Sequence, residues 1–274
     1  MTVWETAIQN NVAYAYARPL AELGVLHGVT KRQGGVSSPP YDTLNLGWNR
    51  PEHKQIIQEN YRRLCKAAGF AYDSMVLCSY CHGDGIVEVT EKQMGAGFSA
   101  PPLPPCDGMI TRSKEVTLIT LHADCMPVLL YDPITQMAGI CHAGWKGTSL
   151  RIGGKMVACM VAMGAQAGDI VAVIGPSICP DCFEVDAPVM EIFLREFSGV
   201  DCIQQRLPKY HIDLPGVMLA QLCEQGVQPH NVYKSEVCTF ENTQYFSYRR
   251  DAPKWGSTGA MAGFIRIGEN FPAR

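Results

Sequence analysis

Apolar positions near the middle of the chain fall into three short runs separated by turn residues. Val116 to Leu121 alternates, is rich in β-branched residues, and ends in His122, Ala123, Asp124 and Cys125. Val128 to Tyr131 meets a turn at Asp132-Pro133, and Met137 to Cys141 ends at His142. Such runs bounded by turn formers predict three strands, the first and third finishing in residues that ligate metals or transfer protons. Reactive groups at strand ends, followed by glycine turns, sit on a rigid frame.

The flanks alternate between the same two periods. Val12 to Tyr16 and Leu23 to Leu26 read as strands. From Glu52 to Ala68, Ile56, Ile57, Tyr61, Leu64 and Cys65 fall at helical spacing, and Gly69 ends the helix. Met75 to Cys78 and Ile86 to Val89 read as strands around a tight connection that carries His82. Gly147 and Thr148 open a helix to about Met163, with Gly164 as its stop. Ile170 to Ile174 is a strand; Asp186 caps a helix with Pro188 in its first turn, and Asp213 and Pro215 repeat that pattern. Val232 to Ser235 and Ala262 to Ile267 are the last strands. Strands and helices mingle without a clean boundary, which predicts one α/β domain over residues 1–274 with mixed α+β character and mixed sheets.

A chain of 274 residues, 47% apolar and 18% charged, can bury a core without staples. A net charge of −3 argues against a nucleic-acid partner, and no apolar run approaches the roughly 20 residues that span a bilayer. Met1 to Leu20 has no basic start followed by an apolar core, so the chain is expected in the cytoplasm. Its twelve cysteines are then read mostly as small buried hydrophobes rather than a disulfide framework.

Three candidate ligands stand at strand ends: His82, Cys125 and His142. A His₂Cys set is a catalytic zinc pattern, three protein ligands with the fourth position open, and zinc lowers the pKa of bound water to about 7. The bland alternative is two satisfied core histidines and a buried thiol. Asp124 and His122 lie beside them as groups that orient a ligand or pass a proton. The loop from His27 to Tyr41 carries Lys31 and Arg32 next to Gly34 and Gly35, which suits an anion such as phosphate; the alternative is a plain surface loop. Two Cys-x-x-Cys pairs, Cys78/Cys81 and Cys179/Cys182, lie too far apart in sequence for a zinc ribbon. His122-Ala-Asp124 and Cys179-Pro-Asp-Cys182 nearly match a cytidine-deaminase motif, but the acid is Asp rather than Glu.

Thr30-Lys-Arg-Gln-Gly-Gly-Val-Ser37, Leu44-Asn-Leu-Gly47, Cys81-His-Gly83, Ala123-Asp-Cys-Met-Pro-Val128, His142-Ala-Gly-Trp-Lys-Gly147, Gly175-Pro-Ser-Ile178 and Phe246-Ser-Tyr-Arg-Arg-Asp251 resemble the laccase-domain family. Its members were called multicopper polyphenol oxidoreductases and are now described as purine nucleoside phosphorylases. The resemblance covers about residues 24 to 268. It implies a sandwich of mixed β-sheets flanked by helices, and a zinc held by His82, Cys125 and His142. It also implies phosphorolysis of adenosine, inosine, guanosine and methylthioadenosine, with adenosine deamination as a second activity. For phosphate and sugar, Arg32 with Gly34 and Gly35, Asn45, and Arg249 or Arg250 are the candidates; Trp145 or Tyr41 would stack on the base. Lys146, Cys179, Asp181 and Ala260 depart from the family's usual residues, which bears on substrate preference more than on metal.

Three other readings stay open: a laccase-like oxidase in which Cu²⁺ replaces Zn²⁺, a cysteine hydrolase with Cys125 as nucleophile and His142 as base, and a non-enzymatic metal or redox sensor.

Overall fold

The computed structural model describes residues 3–206 and 208–268. Its strands are β1 (Trp4–Gln9), β2 (Val12–Ala17), β3 (Leu26–Thr30), β4 (Met75–Leu77), β5 (Ile86–Glu88), β6 (Gly108–Thr111), β7 (Thr117–His122), β8 (Met126–Asp132), β9 (Met137–Ala143), β10 (Val171–Ile174), β11 (Glu184–Val185), β12 (Ile203–Arg206), β13 (Lys209–Ile212), β14 (Val232–Lys234) and β15 (Met261–Arg266). The helices are α1 (Arg18–Glu22), α2 (Lys54–Ala68), α3 (Trp145–Ser149), α4 (Ile152–Ala162), α5 (Ala187–Glu196), α6 (Leu214–Glu224) and α7 (Tyr248–Trp255).

Two six-stranded mixed sheets form the body, one in the order β1-β2-β3-β15-β7-β4, the other β14-β10-β8-β9-β6-β5; β11, β13 and β12 make a small third sheet. Strand periodicity sorts the apolar residues into layers. Leu118 of β7 and Ile265 of β15 meet Leu129 and Tyr131 of β8 and Ile140 of β9 between the large sheets. The intervening residues face outward: Ile119 and Leu121 pack against Ile57, Tyr61 and Leu64 of α2, while Val128, Leu130, Met137 and Cys141 pack against Ile152 and Met156 of α4 and Met218 of α6. Because β7, β8 and β9 are covered on both faces, every one of their residues is buried. The result is an α/β sandwich of mixed sheets flanked by helices.

Several boundaries differ from the sequence reading. Leu23 caps α1 and is exposed, so the strand starts at Leu26. The helix expected from Gly147 to Met163 is two helices, because Arg151 takes a left-handed conformation at φ +62° and turns the chain between α3 and α4. Asp186 precedes α5, but its carboxylate bonds Lys209 rather than the helix N-terminus. Asp213 does cap α6, accepting from the Gly216 N–H at 2.9 Å. The segment after Tyr245, given no helix from sequence, contains α7, capped by the Ser247 hydroxyl.

One buried polar group sets a pH limit on this core. His27 of β3 is fully buried; its Nε2 accepts the Ala17 N–H at 2.9 Å and its Nδ1 donates to the Val25 carbonyl at 2.9 Å. A second proton would set two N–H groups against each other. Burial pushes the imidazole down to about 4 from an ordinary value of 6.5, against a smaller upward effect of the bond to the Val25 carbonyl. The unfolded chain binds the proton first, so stability contributed by neutral His27 is present above pH 6.5 and is lost as pH falls from 6.5 through about 4. Urea titrations over this range should show the wild type losing roughly 3 kcal/mol more than His27→Gln; parallel losses in the two proteins would refute the assignment.

Candidate active site

Three strands and one loop deliver the central groups. β7 ends at His122, the chain turns through Ala123, Asp124 and Cys125, and β8 begins at Met126 paired with Ala143 of β9. That register sets Cys125 opposite Gly144, two residues after His142. A Cβ on Gly144 would lie 2.9 Å from the Cys125 sulfur and 3.7 Å from the His82 ring, so only glycine leaves the room these side chains use. The ligand atoms of His82, Cys125 and His142 all lie within 4.8 Å of one another, graded from exposed His82 through half-buried Cys125 to buried His142.

Asp107 holds this group from behind. It lies beside His142 at the edge of the β6–β9 ladder, where the His142 N–H donates to the Asp107 carbonyl at 2.8 Å. One carboxylate oxygen bonds His142 Nδ1 at 2.9 Å, which turns Nε2 toward Cys125 and His82. The other accepts the N–H groups of Gly83 at 2.7 Å and Cys81 at 3.1 Å, and so fixes the loop that carries His82. Burial opposes a charge on Asp107, but the bonds from His142, Gly83 and Cys81 hold its carboxyl well below the usual carboxylate range. The same negative field acts on His142. Burial lowers its proton affinity, yet the neighbouring Cys125 sulfur and Asp107 outweigh that and raise it to about 9. A site that favours a cation on this ring against the cost of burial also favours a metal ion between these donors, and a carboxylate behind a ligating histidine is the usual arrangement for one.

The group forms the floor of a cavity of about 480 Å³, within the range that holds small organic ligands. Tyr80, Trp145, Phe183 and Tyr248 give it aromatic walls, and Arg50 and Arg249 give it two cations. The Arg50 guanidinium has no hydrogen-bond partner among the described residues. Arg249 donates to the Glu184 carbonyl at 3.0 and 3.1 Å and lies over the Phe183 ring.

Asp124 lines the cavity, but both its carboxylate oxygens are used: one accepts the Thr239 hydroxyl at 2.7 Å, the other the Arg249 N–H at 2.7 Å. Of the two roles read for it, orienting a neighbour or passing a proton, these bonds suit the first: it positions Arg249 and the 239 loop. His122 is likewise committed, to the Cys125 carbonyl and the Thr120 hydroxyl.

The loop read as an anion site does not line this cavity. Arg32 bonds Asp42 through its carbonyl and carboxylate and covers the Phe246 ring. A Cβ on Gly34 would meet the Asn11 carbonyl at 2.3 Å, and one on Gly35 the Thr43 carbonyl at 2.1 Å, so these glycines serve close packing. The Gly35 N–H donates to the Thr43 hydroxyl, and the Val36 N–H to buried Asn60. Asn45 is fully buried, accepting from Gly47 and Ala260 and donating to Glu52. Arg250 is spent on the carbonyls of Thr239, Phe240 and Tyr245 and on Asp251. Tyr41 lies beside a different, open depression with Pro39 and His53. Of the residues expected to contact substrate, Arg249 and Trp145 border the cavity. Sequence reasoning missed Asp107, Arg50, Tyr80 and Tyr248; Asp107 had a signal, the strand that starts at Gly108 in register with Cys141.

No helix among the described residues is long and apolar enough to cross a membrane. Residues 26–268 match the family model described as multi-copper polyphenol oxidoreductase laccase. The chain is 37% identical over 244 residues to a purine nucleoside phosphorylase of Deinococcus radiodurans, covering 89% of this chain and 91% of that one. It is 33% identical to the purine nucleoside phosphorylase YlmD of Bacillus subtilis, covering 89% of each. The crystal structure of YlmD from Geobacillus stearothermophilus superposes with a TM-score of 0.91 at 30% identity, over 97% of this chain and 99% of that one. With a match across nearly its whole length, the chain belongs to the multi-copper polyphenol oxidoreductase laccase family, whose relatives here carry the name purine nucleoside phosphorylase.

Proposed function

We propose that the chain is a zinc-dependent purine nucleoside phosphorylase that also deaminates adenosine, with His82, Cys125 and His142 as the metal ligands. The observation that carries this reading is one cavity holding three kinds of group at once: a His₂Cys donor set, flat aromatic walls and an arginine whose guanidinium has no partner among the described residues. Two imidazoles and a thiolate suit zinc, and a cavity on one side of the trio leaves a fourth position for a small ligand. Zinc bound there supplies Lewis-acid chemistry, polarising a purine or a water molecule beside it.

The residues of the chain supply the rest. Trp145, Phe183 and Tyr248 offer faces for a purine, and Arg249, fixed by Asp124 and the Glu184 carbonyl, closes one side. Arg50 offers charge-assisted hydrogen bonds to phosphate. In phosphorolysis a phosphate oxygen bonds to C1′ of the ribose as the C1′–N9 bond breaks, and the purine leaves with the electron pair and takes up a proton. Positive charge grows on the sugar in between, so a phosphate held by Arg50 beside C1′ stabilises the transition state. In deamination, water replaces the 6-amino group and ammonia leaves.

Cys125, His142 and Asp107 also have the connectivity of a nucleophile, a base and an orienting acid, which keeps the cysteine-hydrolase reading alive. His82, which such a triad does not need, favours the metal reading. Alkylation separates them: a metal ligand is protected from iodoacetamide until a chelator strips the ion, whereas a free nucleophile is labelled at once.

Purified protein given adenosine should release adenine only when phosphate is present, and inosine with or without it. Removing the metal with a chelator should lower phosphorolysis by roughly 100-fold or more, and zinc should restore it; full activity in demonstrably zinc-free protein would sink the reading. Arg50→Ala should raise the KM for phosphate about 10-fold or more with zinc content unchanged, the loss of one charge-assisted bond. Asp107→Asn should weaken zinc binding about 10- to 100-fold in a competition titration, because it loosens His142 and the His82 loop together.

A further inference from the structure

A second cluster of metal-ligating side chains lies behind the wall of the cavity. The donor atoms of Cys179, Cys182, Cys238 and Glu241 all lie within 4.8 Å of one another. They come from two loops that meet side by side, joined by a parallel bridge between Ser177 and Cys238 and by the Thr239 N–H on the Ser177 carbonyl at 3.0 Å. Cys179-Pro-Asp-Cys182 folds as a single 3₁₀ turn that brings its two sulfurs together, and the Cys179 N–H donates to the Cys238 sulfur at 3.3 Å. Cys182 in turn faces the Glu241 carboxylate at 3.5 Å. A sulfur that accepts a backbone N–H while facing two other thiols is placed as a thiolate ligand is placed.

We propose that Cys179, Cys182, Cys238 and Glu241 form a second, structural zinc site. Tetrahedral zinc with bonds of about 2.3 Å spaces its sulfurs about 3.8 Å apart, so small side-chain adjustments within the observed cluster close the shell. Four protein donors leave no open position, which is the mark of a structural rather than a catalytic site. Zinc is favoured over copper(I) because the fourth donor is a hard carboxylate, and over magnesium or calcium because three are thiolates. A disulfide would use two of the cysteines and leave the third thiol and Glu241 aimed at nothing.

The consequence is a clamp on the cavity wall. Ile178 precedes Cys179 and Phe183 follows Cys182, and both line the cavity. The Ile178 N–H donates to the Asp124 carbonyl at 3.0 Å, Thr239 after Cys238 holds the Asp124 carboxylate, and Arg249 bonds the carbonyl of Glu184. A metal joining the two loops fixes this wall from behind, whatever reaction takes place in front of it.

Metal analysis of the full chain, purified without chelator, tests this. Two zinc ions per chain are expected, with X-ray absorption reporting an average of two sulfurs per zinc, the mean of a three-sulfur and a one-sulfur site. Cys182→Ser combined with Cys238→Ser should leave one zinc bound by one sulfur and two nitrogens. His82→Ala combined with His142→Ala should leave one zinc bound by three sulfurs, which separates failure here from failure of the cavity site. Glu241→Gln, at an exposed position that burdens folding little, should make one of the two zinc ions exchange at least 10-fold faster with a chromophoric chelator. Zinc content unchanged by removal of Cys182 and Cys238, or an intact mass showing a disulfide among the three cysteines, would overturn the proposal.

Discussion

The geometry of the cavity floor depends on one buried carboxylate. Asp107 bonds the ring of His142 with one oxygen and two N–H groups of the His82 loop with the other. Two imidazoles far apart along the chain, His82 and His142, are thereby referred to a single rigid point beside β6 and β9. The charge costs desolvation energy, and several donors converging on it offset that cost. The arrangement ties both imidazoles to one charge: if the carboxylate were to lose it, one ring and one loop would be released at once.

Two of the six non-glycine residues with left-handed backbones among the described residues lie at the same place. His82 and Asp124 both have left-handed backbones, at φ +58° and +84°, an arrangement that costs of order 1–3 kcal/mol for each residue with a side chain. Neither is left to relax. The N–H groups flanking His82 are held by Asp107, and Asp124 is tied by its carbonyl to Ile178 and by its carboxylate to Thr239 and Arg249. The distortion has a use: the turn at Asp124 lets Cys125 leave the plane of β7 and face His142 across the ladder, and the turn at His82 brings an imidazole back over both.

Much of the sandwich was legible in sequence because its inner strands are buried on both faces. A continuous apolar run such as Val128 to Tyr131 leaves little choice but a strand, and α2 shows its helical stripe from Ile57 to Cys65. Short elements were less legible. Arg151 breaks a helix at a residue with no propensity to do so, and α7 carries no buried residue to mark it. At the site, the chemistry-bearing side chains read at strand ends are ones the fold brings together, but arginines did not sort by type. Arg32 and Arg250 bond backbone and carboxylate groups that only the fold brings near, whereas Arg50 sits in a stretch with no motif around it. Cysteine spacing was silent in the same way: Cys179 and Cys182 were weighed against Cys78 and Cys81, while the neighbour the fold supplies is Cys238, from a distant loop.

The family's description invites a multi-copper reading, and the placement of the imidazoles speaks against it. The chain has seven histidines. His27 is locked in the core between Ala17 and Val25, His211 bonds the Pro180 carbonyl, and both ring nitrogens of His122 are taken. His53 stands at the start of α2 and His230 in the turn before β14. That leaves His82 and His142 facing the cavity, enough for one ion beside a thiolate and too few for a cluster of coppers that each need imidazoles of their own. A single ion held there, beside aromatic faces and an arginine with no side-chain partner among the described residues, would be placed to polarise a bond and hold an anion rather than to gather electrons. The donor count therefore favours polar group transfer over oxidation, and it does so from the residues alone.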